Sequence, residues 1–158
     1  MVEPITDQII RKIEQAAELY HRLILVVAPA GAGKTPALLD VRDRTGAPLI
    51  NINLEISRLM LDLTHRQRAL QLQRLLREII DKDAGKMILL DNIELLFDVS
   101  LKQDPLRLLQ GLSRNKTVVA SWNGAVIGGF LTYAEPAHPE FKRYPVKDFL
   151  VTSPEMTT

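Results

Sequence analysis

The chain contains no cysteine, which excludes disulfides, thiol catalysis and Cys-based zinc sites. It has only 3 histidines, and they are scattered, so a His-based metal site lacks ligands. Neither sign of charge is in excess: 20 Lys plus Arg stand against 19 Asp plus Glu. A net charge of +1 gives no reason to expect a general nucleic-acid binder, which shows a basic excess. DNA contact through a local basic face stays open. The longest apolar run, residues 23–30, is too short to span a bilayer. The first residues are acidic and mixed, unlike a secretory signal. Together these absences point to a soluble cytoplasmic protein with no membrane partner. No repeat or low-complexity tract occurs. Apolar residues make up 46% of 158, enough for the packed core of one ordinary domain.

One segment stands out from this background. Ala28-Pro29-Ala30-Gly31-Ala32-Gly33-Lys34-Thr35 directly follows the apolar run Leu23-Ile24-Leu25-Val26-Val27. A small residue, four free positions and Gly-Lys-Thr, leaving a strand and opening a helix, form a phosphate-binding P-loop. Gly31 and Gly33 let the backbone turn tightly against a phosphate. The amides of residues 29–35 (Pro29 excepted) and the helix start form a concave anion site. Pro29, Ala30, Gly31, Ala32, Gly33, Lys34 and Thr35 are therefore the candidate nucleotide-binding residues. Lys34 would reach the β- and γ-phosphates, and the Thr35 hydroxyl would ligate Mg²⁺. The alternative is a glycine-bearing strand-to-helix turn with a surface lysine. Pro36 departs from the usual loop: it has no N–H for the α-phosphate, although proline suits a first helical turn.

Hydrophobic spacing predicts a helix over residues 5–22, with Ile9, Ile10, Ile13, Ala17 and Tyr20 on one face. Strands are expected at residues 23–27, 49–54, 86–90, 117–121 and 130–133, and helices at 34–44, 57–63, 65–82 and 104–112. Thr64 is the expected cap of the long helix. That helix carries Leu70, Leu72, Leu75, Leu76, Ile79 and Ile80, with Arg66, Arg68, Arg74 and Arg77 on its other side. Gly124, Gly128 and Gly129 mark an irregular stretch, and Pro136, Pro139 and Pro145 argue for extended chain. Strands alternate with helices and are apolar throughout, the signature of a parallel sheet covered on both faces. The expected fold is an α/β P-loop NTPase core of the AAA-like (ASCE) kind. It would be one domain over residues 1–158: a helix at about 5–22, a core at about 23–133 and an extended segment at about 134–158.

Met87-Ile88-Leu89-Leu90-Asp91 reads as a Walker B strand, apolar and ending in a carboxylate. Asp91 would face the P-loop and hold Mg²⁺ with Thr35. The whole strand and two helices between Lys34 and Asp91 fit ATPases in which another strand lies between the two motif strands. Such ATPases place Glu directly after that Asp, but here the residue is Asn92, with Glu94 two positions on. Asn cannot take a proton. Hydrolysis is therefore slow or uses Glu94 as base, unless Glu94 is structural. Asn92, Glu94, Asn123 and Arg114 are the candidate catalytic residues. Asn123, ending the strand Val118-Val119-Ala120-Ser121-Trp122, could orient the lytic water, with Ser121 as second choice. Asn123-Gly124 is equally strong turn chemistry. Arg114 either reaches a neighbouring subunit's site as a finger or complements a helix dipole. The arginine side of the long helix reads as a solvated face.

Five further segments carry a family likeness: Asp91-Asn92-Ile93-Glu94-Leu95-Leu96-Phe97, Gln103-Asp104-Pro105-Leu106, Leu112-Ser113-Arg114-Asn115, Val119-Ala120-Ser121-Trp122-Asn123-Gly124 and Leu131-Thr132-Tyr133-Ala134-Glu135-Pro136. From about residue 20 to residue 145 the chain resembles BrxF-type small P-loop proteins of BREX (type 3) bacterial phage-defence systems. The resemblance implies an ATPase-like component of an anti-phage operon. It would work beside a large ATPase, a DNA methyltransferase, an alkaline-phosphatase-like protein and a helicase. It also implies an AAA-like core without a separate C-terminal lid domain. Three activities compete. The first is an oligomeric switch driven by ATP and Mg²⁺, with Arg114 completing a neighbour's site. The second is an ATP-responsive scaffold without useful hydrolysis, which Asn92 favours. The third is a small-molecule kinase, disfavoured because Lys142-Arg143 is the only late basic pair.

Overall fold

The structure, a computed structural model, describes residues 4–153. Strand β1 (Leu23–Ala28) is apolar and buried at every position. Such a strand has no solvent face and needs cover on both sides. Its pleat divides its side chains between two cores. Leu23, Leu25 and Val27 enter one, and Ile24 and Val26 the other. Strand β3 (Met87–Asp91) and the first half of β4 (Thr117–Ile127) alternate in the same way. Ile88, Leu90, Val118, Ala120 and Trp122 join the first core, and Leu89 and Val119 the second.

Helices α3 (Ile52–Met60), α4 (His65–Asp81) and α5 (Pro105–Leu112) close the first core. Helices α1 (Ile5–Ala16) and α2 (Lys34–Thr45) close the second. With β2 (Leu49–Asn51) and β7 (Leu150–Thr152), the sheet order is β2-β3-β4-β1-β7. All four pairings along that path are parallel. Strand β4 therefore separates the P-loop strand from the Walker B strand. This is the expected α/β P-loop NTPase core. Among the described residues no helix is long and apolar enough to cross a membrane.

Several local expectations are corrected. The first helix stops at Ala16 rather than residue 22, and Tyr20 is 71% exposed instead of core. The chain there is tied down by Arg22 N–H donating to the Ser113 carbonyl at 3.1 Å. The strand expected at residues 49–54 ends at Asn51, whose side chain accepts from the Leu54 amide at 3.0 Å. That cap starts α3 five residues before the expected Ser57, so capping prevails over the period-two alternation. Leu70 is 73% exposed and not part of the packed face of α4. Thr64 does cap α4, in a reciprocal box with Gln67.

The glycine-marked stretch is ordered strand. Strand β4 continues through Asn123 and Gly124 to Ile127 and turns at Gly128-Gly129 into β5 (Phe130–Tyr133). Both glycines have positive φ, 58° and 81°, as a tight hairpin turn demands. The turn reading of Asn123-Gly124 is thus overturned. Prolines do not keep the later chain out of the sheet either. Strand β6 (Lys142–Pro145) pairs antiparallel with β5, and β7 adds to β1. Pro145 sits at the end of an edge strand, where its missing N–H costs no ladder bond. The part of the expected extended segment at residues 154–158 lies outside the described residues.

Candidate phosphate site

The same pleat that builds the cores builds the site. In β3 the side chains of Met87, Leu89 and Asp91 share the α2 face, and in β4 so do Val119, Ser121 and Asn123. The two strands thus deliver Asp91, Ser121 and Asn123 to the sheet end where β1 passes into α2. Thr35, in the first turn of α2, donates its hydroxyl to Asp91 Oδ2 at 2.6 Å. Ser121 donates to Asp91 Oδ1 at 2.6 Å, and the Asn92 amide donates to the same oxygen at 2.9 Å. Asp91 is 6% exposed. Ser121, second choice on sequence, is the residue that fixes the carboxylate from below.

Gly31 and Gly33 adopt positive φ, 79° and 94°. A Cβ at either would meet nothing within 4 Å, so the loop curves around open space. Among the described residues, the amides of Gly31, Gly33 and Lys34 have no carbonyl partner outside helices and strands. Lys34 is only 6% exposed and folds back on its own loop. Its ammonium donates to the carbonyls of Ala28 at 2.8 Å and Pro29 at 2.7 Å. Burial holds the Lys34 ammonium below the ordinary lysine range, while Glu94 and Asp91 pull the other way. The resulting cup holds about 270 Å³ and is lined by the loop, Pro36, Asp91, Asn92, Glu94 and Asn123.

Glu94 reaches this cup through a local device. Asn92 adopts φ 53°, a left-handed conformation that Asn tolerates better than most residues. The reversal leads into a short 3-10 turn (Glu94–Phe97). Glu94 Oε1 accepts from Asn123 Nδ2 at 2.6 Å, and Oε2 accepts from Asn53 Nδ2 at 3.3 Å. Asn53 in turn accepts from the Leu95 amide at 2.8 Å, and its own amide donates to the Asn92 carbonyl at 2.8 Å. Sequence reading missed Asn53 by placing it in a strand. The available signal was a polar residue in an apolar run leading to the P-loop end of the sheet.

Arg114 is not in the cup. It precedes β4 at the opposite sheet end, about 20 Å from Asn123 at the usual rise per strand residue. Its guanidinium carbon lies 5.5 Å from the Tyr20 ring centroid, and its carbonyl accepts from Arg22 at 2.9 Å. The arginines of α4 are mostly engaged within the chain. Arg74 pairs with Glu78, and Arg68 and Arg77 donate to the Leu63 and Gly111 carbonyls.

No family model matches the chain, and no curated protein matches it. Among solved structures, the chain is similar to one described as the structure of C. elegans PCH-2. The TM-score is 0.44 and the identity 17%, over 78% of this chain and 39% of that one. The chain therefore spans well under half the length of that neighbour.

The residues present suit a phosphate chain with its metal. A glycine-bearing loop, a buried lysine and a hydroxyl bonded to a carboxylate border one concave space. Among the described residues no cluster of three or more His, Asp or Glu side chains forms a metal site of its own. Thr35 and Asp91 offer two oxygens, and Mg²⁺ takes one or two protein oxygens and completes its shell with phosphates and water.

Proposed function

We propose that the chain binds ATP with Mg²⁺ in this cup and acts as a slow, oligomeric nucleotide switch. The observation that carries the reading is the meeting of Lys34, Thr35, Asp91, Glu94 and Asn123 around one 270 Å³ space at the sheet end. On this reading the loop amides and Lys34 hold the phosphates. Thr35 and Asp91 hold the metal, which would screen phosphate charge. Glu94, positioned by Asn123 and Asn53, takes the proton of a water. Because Glu94 is steered through an Asn92 turn, modest turnover is the expectation.

The likeness of residues 20–145 to BrxF-type proteins supports a place in a BREX phage-defence system, beside partners such as its large ATPase. Asn92 also supports a second reading, an ATP-responsive scaffold in which assembly, not hydrolysis, is the output.

Calorimetry of the full chain with ATP and Mg²⁺ tests the core of the proposal. Binding is expected for the wild type and is expected to vanish for Lys34→Ala, with circular dichroism checking that the variant still folds. Wild-type protein that ignores millimolar ATP would defeat it. For the defence role, a host carrying the operon with Lys34→Ala should lose phage resistance. Full resistance in that host would remove the nucleotide from the role.

A further inference from the structure

A second hollow opens beside the phosphate cup, made by the β4–β5 hairpin and β6. Register places Ala125 opposite Thr132 and Thr132 opposite Arg143, one row across three strands. Residues in such a row share a face. The other face, with Leu131, Tyr133 and Tyr144, packs on the first core. On the free face the small side chains of Ala125 and Thr132 leave a floor, and Ile127 and Phe141 stand as apolar walls. The hollow holds about 630 Å³, inside the range of small-molecule sites.

Its charges are few and specific. Among its lining residues only Arg143 and Glu135 are charged. The Arg143 guanidinium carbon lies 3.5 Å from the Phe130 ring centroid. Stacking of that kind fixes the plane of the guanidinium and leaves its edge donors for a planar anion. Among the described residues the Arg143 side chain has no ion pair and donates no hydrogen bond. With Glu135 nearby, one negative charge matches the site better than two.

We propose that this hollow binds a small amphipathic monocarboxylate, its carboxylate on Arg143 and its apolar body over Ala125, Ile127 and Phe141. The occupant would lie next to the phosphate cup, because Ala30 and Asn123 line both spaces. Asn123 also holds Glu94, so the occupant touches the side chain that positions the base. That coupling rests on the function proposed above; occupancy of the hollow does not.

Fluorine NMR titration of the full chain with 4-fluorophenylacetate tests the proposal. Saturable binding is expected, with the neutral 2-(4-fluorophenyl)ethanol at least about tenfold weaker, as loss of a charged hydrogen-bonded pair implies. Arg143→Gln should weaken the acid by about the same factor, and Ala125→Leu, which fills the floor, should remove it. Circular-dichroism melting of both variants checks that they fold. No saturable binding, equal affinity for acid and alcohol, or undiminished binding to Ala125→Leu would each overturn the site. The acid–alcohol comparison uses the wild type and stands even if a variant misfolds. Acid binding by a wild-type chain that ignores ATP would support the hollow while removing the nucleotide reading.

Discussion

Asn92 shows how one backbone angle redistributes chemistry among neighbours. A left-handed residue costs a Cβ-bearing side chain about 1–2 kcal/mol, with Asn among the least penalised. The φ of 53° therefore favours Asn over Glu, and the turn it makes carries Glu94 to Asn123 instead. If Glu94 is the base, Glu94→Gln should lower single-turnover hydrolysis by about 10²–10⁴-fold while ATP affinity holds. Undiminished turnover in that variant would end the base role. Asn92→Glu, by contrast, should not speed hydrolysis, because Glu is strained at this left-handed position and the turn that delivers Glu94 would be disturbed. Pro36 offers a separate test. It lines the cup in the first turn of α2 yet supplies no N–H. Restoring that donor with Pro36→Ser should tighten ATP by about tenfold, the worth of one hydrogen bond to a charged group. An unchanged or weaker dissociation constant by calorimetry would refute the missing-donor account.

At the scale of elements, β4 does two jobs, and the second was not legible in the sequence. Its first half is continuous apolar strand between β1 and β3, which the hydrophobic run announced. Its second half pairs antiparallel with β5, where Asn123-Gly124 looked like a turn. What overrides that local preference is distant packing. Trp122 is fully buried, donates from Nε1 to the Thr132 carbonyl at 3.0 Å and meets Phe97 edge-on. Tyr133 stacks on the same Phe97 with ring centroids 3.5 Å apart. Phe97 lies too far back along the chain for a local window to hold it together with Trp122 and Tyr133. The loop after β1, the strand ending at Asp91 and the cap at Thr64 were readable because each depends on residues a few positions apart. Asn53, Ser121 and the β6 and β7 pairings depend on residues far along the chain. The aromatic cluster also sets an alkaline limit. Burial, with Glu140 and Glu94 adding, raises the Tyr133 hydroxyl from 10.0 to about 12. A raised folded-state value means the contribution is full below pH 10.0 and is lost as pH rises toward about 12. Urea midpoints taken between those pH values should fall less steeply for Tyr133→Phe than for wild type. Identical slopes would show that Tyr133 ionises freely in the folded state.

For the whole molecule, the decisive fact is which charges the cup lacks. Lys34 is the one Lys or Arg among its lining residues, and Asp91 and Glu94 stand beside it. Arg114 cannot supply a second positive charge within the same chain, since the sheet separates it from the cup by about 20 Å. A nucleotide's terminal phosphate would gain that charge only if another copy presented its Arg114 end to this sheet end. Turnover per subunit should then rise with protein concentration. Arg114→Ala should flatten the rise without weakening ATP binding, because Arg114 touches nothing in its own cup. Mixing variants makes the test sharper. Arg114→Ala keeps an intact Glu94 site, and Glu94→Gln keeps an intact arginine. Together they should hydrolyse ATP faster than either alone, since one mixed contact in the assembly joins both functional halves. A mixture no faster than the sum of its parts, with wild-type turnover independent of concentration, would make Arg114 a cap over Tyr20. If sedimentation of Glu94→Gln then still showed ATP-dependent assembly, the scaffold reading would take the place of the switch.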